Sequence, residues 1–121
     1  PCKRICLTGG EPALQIDSTF IGLLHQNGYI IHIETNGTRP LPQGINWITV
    51  SPKDEQIILD KADELKIVYR AQDVQKWLAF NTAHFFLQPC SCQNTEETIQ
   101  YILAHPQWRL SLQTHKYLNI R

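Results

Sequence analysis

The sequence has no methionine, no excess of charge of either sign and no long apolar run. Its 121 residues carry 11 lysines and arginines against 11 aspartates and glutamates, so the formal net charge is zero. This balance disfavours a nucleic-acid-binding protein, which needs clustered excess cations to hold phosphates. No apolar run approaches the roughly 18 to 20 residues of a membrane-spanning helix, and the first ten residues lack a signal-peptide core. We therefore expect a cytoplasmic protein with neither nucleic-acid nor membrane partners.

Several catalytic signatures are also missing. There is no Walker A motif, no G-x-G-x-x-G and no G-x-S-x-G, so kinase, dehydrogenase and hydrolase interpretations lack support. Cysteine is too infrequent for a secreted disulfide scaffold, and it occurs in the pairs Cys2/Cys6 and Cys90/Cys92. Neither spacing is a strong metal-binding signal, so reduced structural cysteines are favoured. Convergence of the four thiols on one metal is the sharper alternative.

What the sequence does contain is an alternation of short apolar runs and helical patterns. Hydrophobic residues make up 42% and charged residues 18%, as in an ordinary globular domain. Strands alternating with helices predict an α/β fold with a mainly parallel sheet. The predicted strands are 3–8, 29–34, 45–51, 65–69, 83–88 and 108–113. The predicted helices are 13–26, 55–60, 71–80 and one from 94 or 95 to about 105, with a side-chain cap at Asn94 or Thr95.

Most of the predicted strands end in Gly, Pro or polar residues. In parallel α/β folds these carboxyl ends meet at one edge of the sheet, where active sites form. After the first strand, Gly9 and Gly10 allow close approach of backbone to a ligand, and Glu11 adds a carboxylate. The alternative for this segment is a tight strand-to-helix turn with Pro12 at an early helical position.

The other strand ends carry their own alternatives. Glu34 closes an apolar strand, so its carboxylate needs a partner unless a turn at Asn36-Gly37 leaves it solvated. Lys53 can meet a ligand carboxylate or phosphate, although most lysines are simply on the surface. His115 can contact a substrate or move a proton, or it can be an ordinary surface histidine.

The runs LTGGEPALQ, IETNGT, TVSPK, FLQP and LSLQTHKYLNIR, in this order and spacing, closely resemble 7-carboxy-7-deazaguanine synthase. That family belongs to the radical S-adenosylmethionine superfamily. GGEP alone indicates only the superfamily, whereas ETNG with SPK and LQTHK is more specific. The resemblance implies an incomplete (β/α) barrel and a carbon–nitrogen lyase. The implied reaction contracts 6-carboxy-5,6,7,8-tetrahydropterin to 7-carboxy-7-deazaguanine with loss of ammonia, toward queuosine.

The resemblance also implies cofactors and partners. A [4Fe-4S] cluster reductively cleaves S-adenosylmethionine, the resulting radical takes hydrogen from the pterin, and Mg²⁺ assists. The expected assembly is a homodimer, and the expected electron donor is a protein such as flavodoxin. A sister radical S-adenosylmethionine activating enzyme, or a non-catalytic module that binds a nucleotide or S-adenosylmethionine, is the alternative.

Site residues are carried over position by position from the resemblance, and none is assigned as catalytic. The backbone of Gly10 and the carboxylate of Glu11 are expected at the methionine end of the cofactor. Residues 51–53 are expected along its adenosyl or carboxylate side, and residues 88–91 at its border. The implied cofactor-binding set is Gly9, Gly10, Glu11, Glu34, Asn36, Ser51, Pro52, Lys53, Gln88, Pro89, Cys90 and Ser91. The implied substrate-binding set is Thr8, Gln113 and His115.

One departure from the family is large. Its three cluster cysteines and its magnesium-binding Thr are expected several tens of residues before GGEP, yet here GGEP begins at Gly9. A full eight-unit barrel needs about 250 residues, so the chain falls short of six units by roughly two. We therefore expect residues 1–121 to be a single domain, the C-terminal part of a larger enzyme ending natively at Arg121. We expect it to lack the cluster and Mg²⁺ ligands, to be inactive alone, and to dimerise or aggregate through its open sheet edge.

Overall fold

The computed structural model describes residues 2–53 and 56–120. Its centre is one sheet of six strands, all neighbours of which pair in parallel. The strands are β1 Arg4–Leu7, β2 Ile30–Thr35, β3 Trp47–Val50, β4 Glu64–Tyr69, β5 His84–Pro89 and β6 Trp108–Leu110. The α-helices are α1 Ser18–Gln26, α2 Thr95–Ala104 and α3 Thr114–Tyr117. Short 3-10 helices cover Pro12–Leu14, Gln75–Ala79 and Cys90–Cys92.

The strands lie in the sheet in the same order as in the chain, with β1 and β6 outermost. A doubly wound sheet reverses its strand order at a switch point, whereas a (β/α) barrel adds strands in sequence. The sequential order is therefore the barrel pattern, left open between the outer strands. The predicted parallel α/β fold, as part of an incomplete barrel, is confirmed.

Alternation along the strands separates a packed face from a polar face. Leu65, Ile67 and Tyr69 of β4 are buried on one side of the sheet, where they pack with Leu87 and Trp108. The residues between them point to the opposite face, because successive side chains of a strand alternate. That opposite face carries the polar residues of the middle strands, which makes it the face on which a ligand site can form.

The predicted helix over 13–26 is wrong in its first half. A 3-10 turn ends at Leu14, and the α-helix starts only at Ser18. Asp17 has an extended backbone and its side chain accepts a hydrogen bond from Phe20 N, so it is the N-cap of α1. The predicted stop is confirmed: Gly28 takes a φ of 75°, and Tyr29 N donates to Leu24 O in a Schellman-type ending.

Three other element predictions need correction. Residues 71–80 form only a 3-10 helix, Gln75–Ala79, because Ala71 has a left-handed φ of 61° and Asp73 Oδ1 accepts from Gln75 N. The predicted helix over 55–60 begins outside the described residues, and 56–60 are irregular. The last strand ends at Leu110 rather than at residue 113, and α3 follows.

The last predicted helix is confirmed as α2, but its predicted side-chain cap is wrong. Asn94 Oδ1 accepts from Cys90 N and its Nδ2 donates to Tyr69 O, so this side chain ties the end of β4 to the segment after β5 instead. Among the described residues, no helix has the length and apolar character needed to cross a membrane.

Candidate functional site

A cavity of about 330 Å³ opens at the carboxyl ends of the strands. Segments following β1, β2, β3 and β6 contribute to it, together with residues of β2, β4 and β5 themselves. Nine of the residues predicted from the sequence come together here. They are Thr8, Gly10, Glu11, Glu34, Asn36, Ser51, Lys53, Gln88 and Gln113.

The remaining predicted residues lie around this cavity rather than in its wall. Gly9 lies in a neighbouring depression beside Thr8, and Pro52 in another beside Lys53. His115 lines a polar extension of about 280 Å³ that shares Glu34, Lys66, Gln88 and Gln113 with the main cavity. Pro89, Cys90 and Ser91 follow in the chain directly after Gln88 but do not line the main cavity.

The two glycines after β1 are required by backbone conformation. Gly9 and Gly10 have φ values of 84° and 54°, a region that residues with a side chain rarely adopt. A Cβ at either position would meet no atom within 4 Å, so space is not the reason for glycine here. The open space beside them leaves the backbone accessible from the cavity side at Gly10.

The carboxylate of Glu11 joins the turn after β1 to the turn after β2. Its Oε1 accepts from Thr35 Oγ1 at 2.5 Å and from Ala13 N at 3.1 Å, and its Oε2 accepts from Asn36 N at 2.7 Å. The group predicted to meet a ligand amino group therefore already holds three protein donors. These bonds fix the relative position of the GGEP and ETNG segments.

The ETNG segment is a turn that holds itself in shape. Asn36 Oδ1 accepts from Thr38 N at 2.9 Å and from Thr38 Oγ1 at 2.7 Å, so the amide side chain forms the turn. Gly37 has a φ of 80°, and a Cβ there would stand 3.0 Å from Val50 and 3.2 Å from Ile57. A side chain at position 37 is thus excluded by both conformation and space.

Glu34 has the partner that its position requires. Lys66 of β4 places its Nζ 2.8 Å from Glu34 Oε2, and the Lys66 side chain is only 12% exposed. Sequence reasoning missed Lys66, together with Thr35 and Val68, as residues of the cavity wall. The signal was the alternation in LKIVY, which puts Lys66 and Val68 on one face and three apolar residues on the other.

Two titratable groups on the face below the cavity have raised pKa values. Burial, followed by the charge of Glu34, raises the pKa of the Cys6 thiol, while Lys66 lowers it. Burial also raises the pKa of Glu64; Glu34 adds to the rise, while Lys66, His84 and a hydrogen bond from Trp47 oppose it. Lys66 therefore opposes the negative charge of two glutamates on this face, and His84 adds to its effect at Glu64.

The cysteines do not form a metal centre in the part of the chain that the structure describes. Cys2 precedes β1 and Cys6 lies within it, whereas Cys90 and Cys92 follow β5 at the opposite end of the strands. Across residues 2–53 and 56–120, no three Cys, His, Asp or Glu side chains are grouped to hold a metal ion. The described cysteines therefore fit neither a [4Fe-4S] cluster nor a Mg²⁺ site.

The sheet order and the cavity define the class as an incomplete (β/α)-barrel protein with a small-molecule cavity at the carboxyl ends of its strands. No protein-family model matches the chain. Curated relatives do: 7-carboxy-7-deazaguanine synthase of Bacteroides thetaiotaomicron is 51% identical over 122 residues, covering 100% of this chain and 67% of the relative. That of Bordetella pertussis is 46% identical, covering 98% and 60% respectively.

A solved structure agrees with the sequence relatives. The crystal structure of QueE from Escherichia coli superposes with a TM-score of 0.77 at 32% identity, covering 93% of this chain and 57% of that one. The chain belongs to the 7-carboxy-7-deazaguanine synthase family, so the resemblance inferred from the sequence is confirmed. It spans between 57% and 67% of the length of these three relatives.

Proposed function

We propose that this chain forms the ligand-binding wall of a 7-carboxy-7-deazaguanine synthase. The reaction is the radical S-adenosylmethionine ring contraction of 6-carboxy-5,6,7,8-tetrahydropterin, a carbon–nitrogen lyase step toward queuosine. The observation that carries the proposal is the cavity itself, which gathers nine predicted polar and glycine residues at the carboxyl ends of the strands in a member of this family.

The cavity suits the polar end of S-adenosylmethionine. Lys53 supplies a cation for the methionyl carboxylate, and the open backbone at Gly10 supplies hydrogen-bonding groups for the same end. Ser51 and Gln88 offer a hydroxyl and an amide along the wall. Bound S-adenosylmethionine supplies the hydrogen-abstracting chemistry, and the residues of this chain hold and orient it.

The polar extension suits the pterin. Its wall includes Gln113 and His115, which give amide and imidazole groups, and Glu34, which gives a carboxylate. Thr8 lies in the main cavity wall beside the GGEP turn. A ring rich in N–H and C=O groups needs such mixed donors and acceptors, and the shared wall at Gln88 and Gln113 brings the two ligands side by side.

We further propose that the chain alone carries out no turnover, because its described cysteines do not fit the cluster. In the intact enzyme the cluster, Mg²⁺, a second copy of the chain and a flavodoxin-like donor complete the system, in the cytoplasm. The same observation favours a second candidate, a module that binds S-adenosylmethionine without radical chemistry.

The proposal is tested by calorimetric titration of the chain with S-adenosylmethionine. We expect saturable binding that weakens about tenfold in Lys53→Met, the loss of one charge-assisted contact. Lys61→Met is the matched control, since Lys61 is exposed and lies before β4, away from the cavity. Absence of binding by the unmodified chain would refute the proposed function. Binding with product formation from the pterin, in the reconstituted chain alone, would refute the claim of inactivity.

A further inference from the structure

The ion pair between Glu34 and Lys66 spans two strands that are not neighbours. Strand β3 lies between β2 and β4, and the register aligns Glu34 with Thr49 and Thr49 with Glu64. Strands in a sheet are about 4.8 Å apart, so a contact from β2 to β4 must cross almost 10 Å. The two side chains meet at 2.8 Å above Thr49, which is 5% exposed. A small residue at position 49 is what allows the crossing.

Placing Lys66 here costs free energy, because its ammonium group is largely removed from water. Lysine is almost never buried unless it is paired, because removing an ammonium group from water is expensive. The Lys66 side chain is 12% exposed, while that of its partner Glu34 is 41% exposed. The pair is thus buried on the lysine side and open on the glutamate side, where Glu34 borders both the cavity and its polar extension.

Lys66 has more than one carboxylate nearby, so the one with which it forms an ion pair is informative. Glu64, two residues earlier on β4, is a second carboxylate close enough for Lys66 to influence its ionisation, and Cys6 of β1, His32 of β2 and His84 of β5 are further titratable groups of this face. Lys66 nevertheless makes its ion pair with Glu34. The lysine is therefore directed toward the carboxylate that borders the cavity.

We propose that Lys66 is a positioning residue of the ligand site: bridging over Thr49, it fixes the carboxylate of Glu34 at the cavity wall as the acceptor for an N–H group of the bound ligand. The inference rests on the proposed function, because it assumes that the cavity binds a ligand. N–H donors occur both on the pterin ring and on S-adenosylmethionine, and the experiment separates these two sources.

The experiment titrates the chain separately with S-adenosylmethionine and with 6-carboxypterin, a stable oxidised analogue of the substrate. The variants are Lys66→Met, Lys66→Arg, Glu34→Gln and the double variant Lys66→Met/Glu34→Gln, with Lys61→Met as the control. We expect Kd for one probe to rise about tenfold in both Lys66→Met and Glu34→Gln, the probe affected identifying the donor. The double variant should be no weaker than either single one, and Lys66→Arg should stay within about threefold of the unmodified chain.

Two readouts separate positioning from a merely structural role. Circular dichroism establishes whether each variant folds. In Lys66→Met the carboxylate of Glu34 is left without its cation, whereas the double variant has no such unpaired charge. The ammonium signal of Lys66 in ¹⁵N-labelled protein should be resolved in the unmodified chain and lost in Glu34→Gln.

The remaining outcomes overturn the inference, either alone or together with the proposed function. Affinity unchanged in Lys66→Met overturns the inference while the proposed function stands. Further weakening by Lys66→Met in the Glu34→Gln background also overturns it, since the lysine would then contact the ligand directly. If the unmodified chain binds neither probe, the proposed function fails, and the inference fails with it.

Discussion

Removing the Glu11 carboxylate tests the idea that one side chain locks the GGEP and ETNG segments together. In Glu11→Ala, the donors of Ala13, Thr35 and Asn36 lose their acceptor. Glu11→Gln keeps one acceptor oxygen, but the amide nitrogen that replaces the other oxygen is a donor and cannot accept a hydrogen bond. At least one of the three bonds is therefore lost. The two variants therefore give a graded perturbation of a single contact set.

The expected magnitude follows from the three bonds. A hydrogen bond to a charged group contributes about 1.5 to 3 kcal/mol, and bonds that share one carboxylate do not add fully. Part of the loss is recovered because these donors are only partly buried and can reach water. We expect the free energy of unfolding to fall by about 2 to 4 kcal/mol in Glu11→Ala and by about 1 to 2 kcal/mol in Glu11→Gln.

Urea unfolding, followed by tryptophan fluorescence to which the buried Trp108 contributes, measures this difference. With a urea slope of about 2 kcal/mol per M, the middle of the usual range, Glu11→Ala should lower the midpoint by roughly 1 to 2 M. Glu96→Gln is the matched control, because Glu96 is exposed at the start of α2 and should change stability by less than about 0.5 kcal/mol. A change in Glu11→Ala no larger than that of the control would show that the carboxylate does not brace the turns.

Three further predictions concern charge, backbone and metal. Because the pKa of Glu64 is raised in the folded state, the unmodified protein loses stability as the pH rises from about 4.5, the ordinary pKa of a glutamate, through the folded pKa. Glu64→Gln should therefore be more stable than the unmodified protein at pH 7 and equally stable at pH 3. Thermal unfolding at both pH values checks this, and a Glu64→Gln variant that is less stable at pH 7 contradicts it. Gly37→Ala should lose about 1 to 3 kcal/mol in urea unfolding, whereas Gly22→Ala, in open helical surroundings, should gain up to about 1 kcal/mol; equal effects would remove the steric argument. After anaerobic reconstitution, iron analysis should find close to none per chain, and about four irons would mean that the cysteines converge.

The sequence was sufficient for the strands and for most of the cavity wall. Runs such as Ile30 to Ile33 are rich in β-branched residues, and turn-forming residues follow them, so strand ends could be located from the sequence. Parallel order then places those ends at one edge. The signal for the start of α1 was also present, because Asp17 stands just before the helical apolar pattern, in the position of an N-cap.

The remaining features depend on contacts between segments that are distant in the sequence, and no local pattern shows these contacts. The alternation in β4 separates Lys66 from the apolar residues of that strand, but only the sheet order puts it across β3 from Glu34. The short 3-10 helix around Trp77 shares its apolar spacing with an α-helix, and the left-handed backbone of Ala71 decides between them. The side chain of Asn94 does not cap α2, because it accepts a hydrogen bond from Cys90 N and donates one to Tyr69 O instead.

Because the ion pair between Glu34 and Lys66 crosses β3, it forms only when β2, β3 and β4 are paired in the correct register. If β3 and β4 together paired with β2 one residue out of step, Lys66 would turn to the other face of the sheet and lose Glu34. Only correctly aligned molecules would then present the fixed carboxylate. A ligand that needs that carboxylate would bind the aligned state alone and draw misaligned molecules toward it by mass action. The supply of ligand would in this way act on the yield of correctly folded protein.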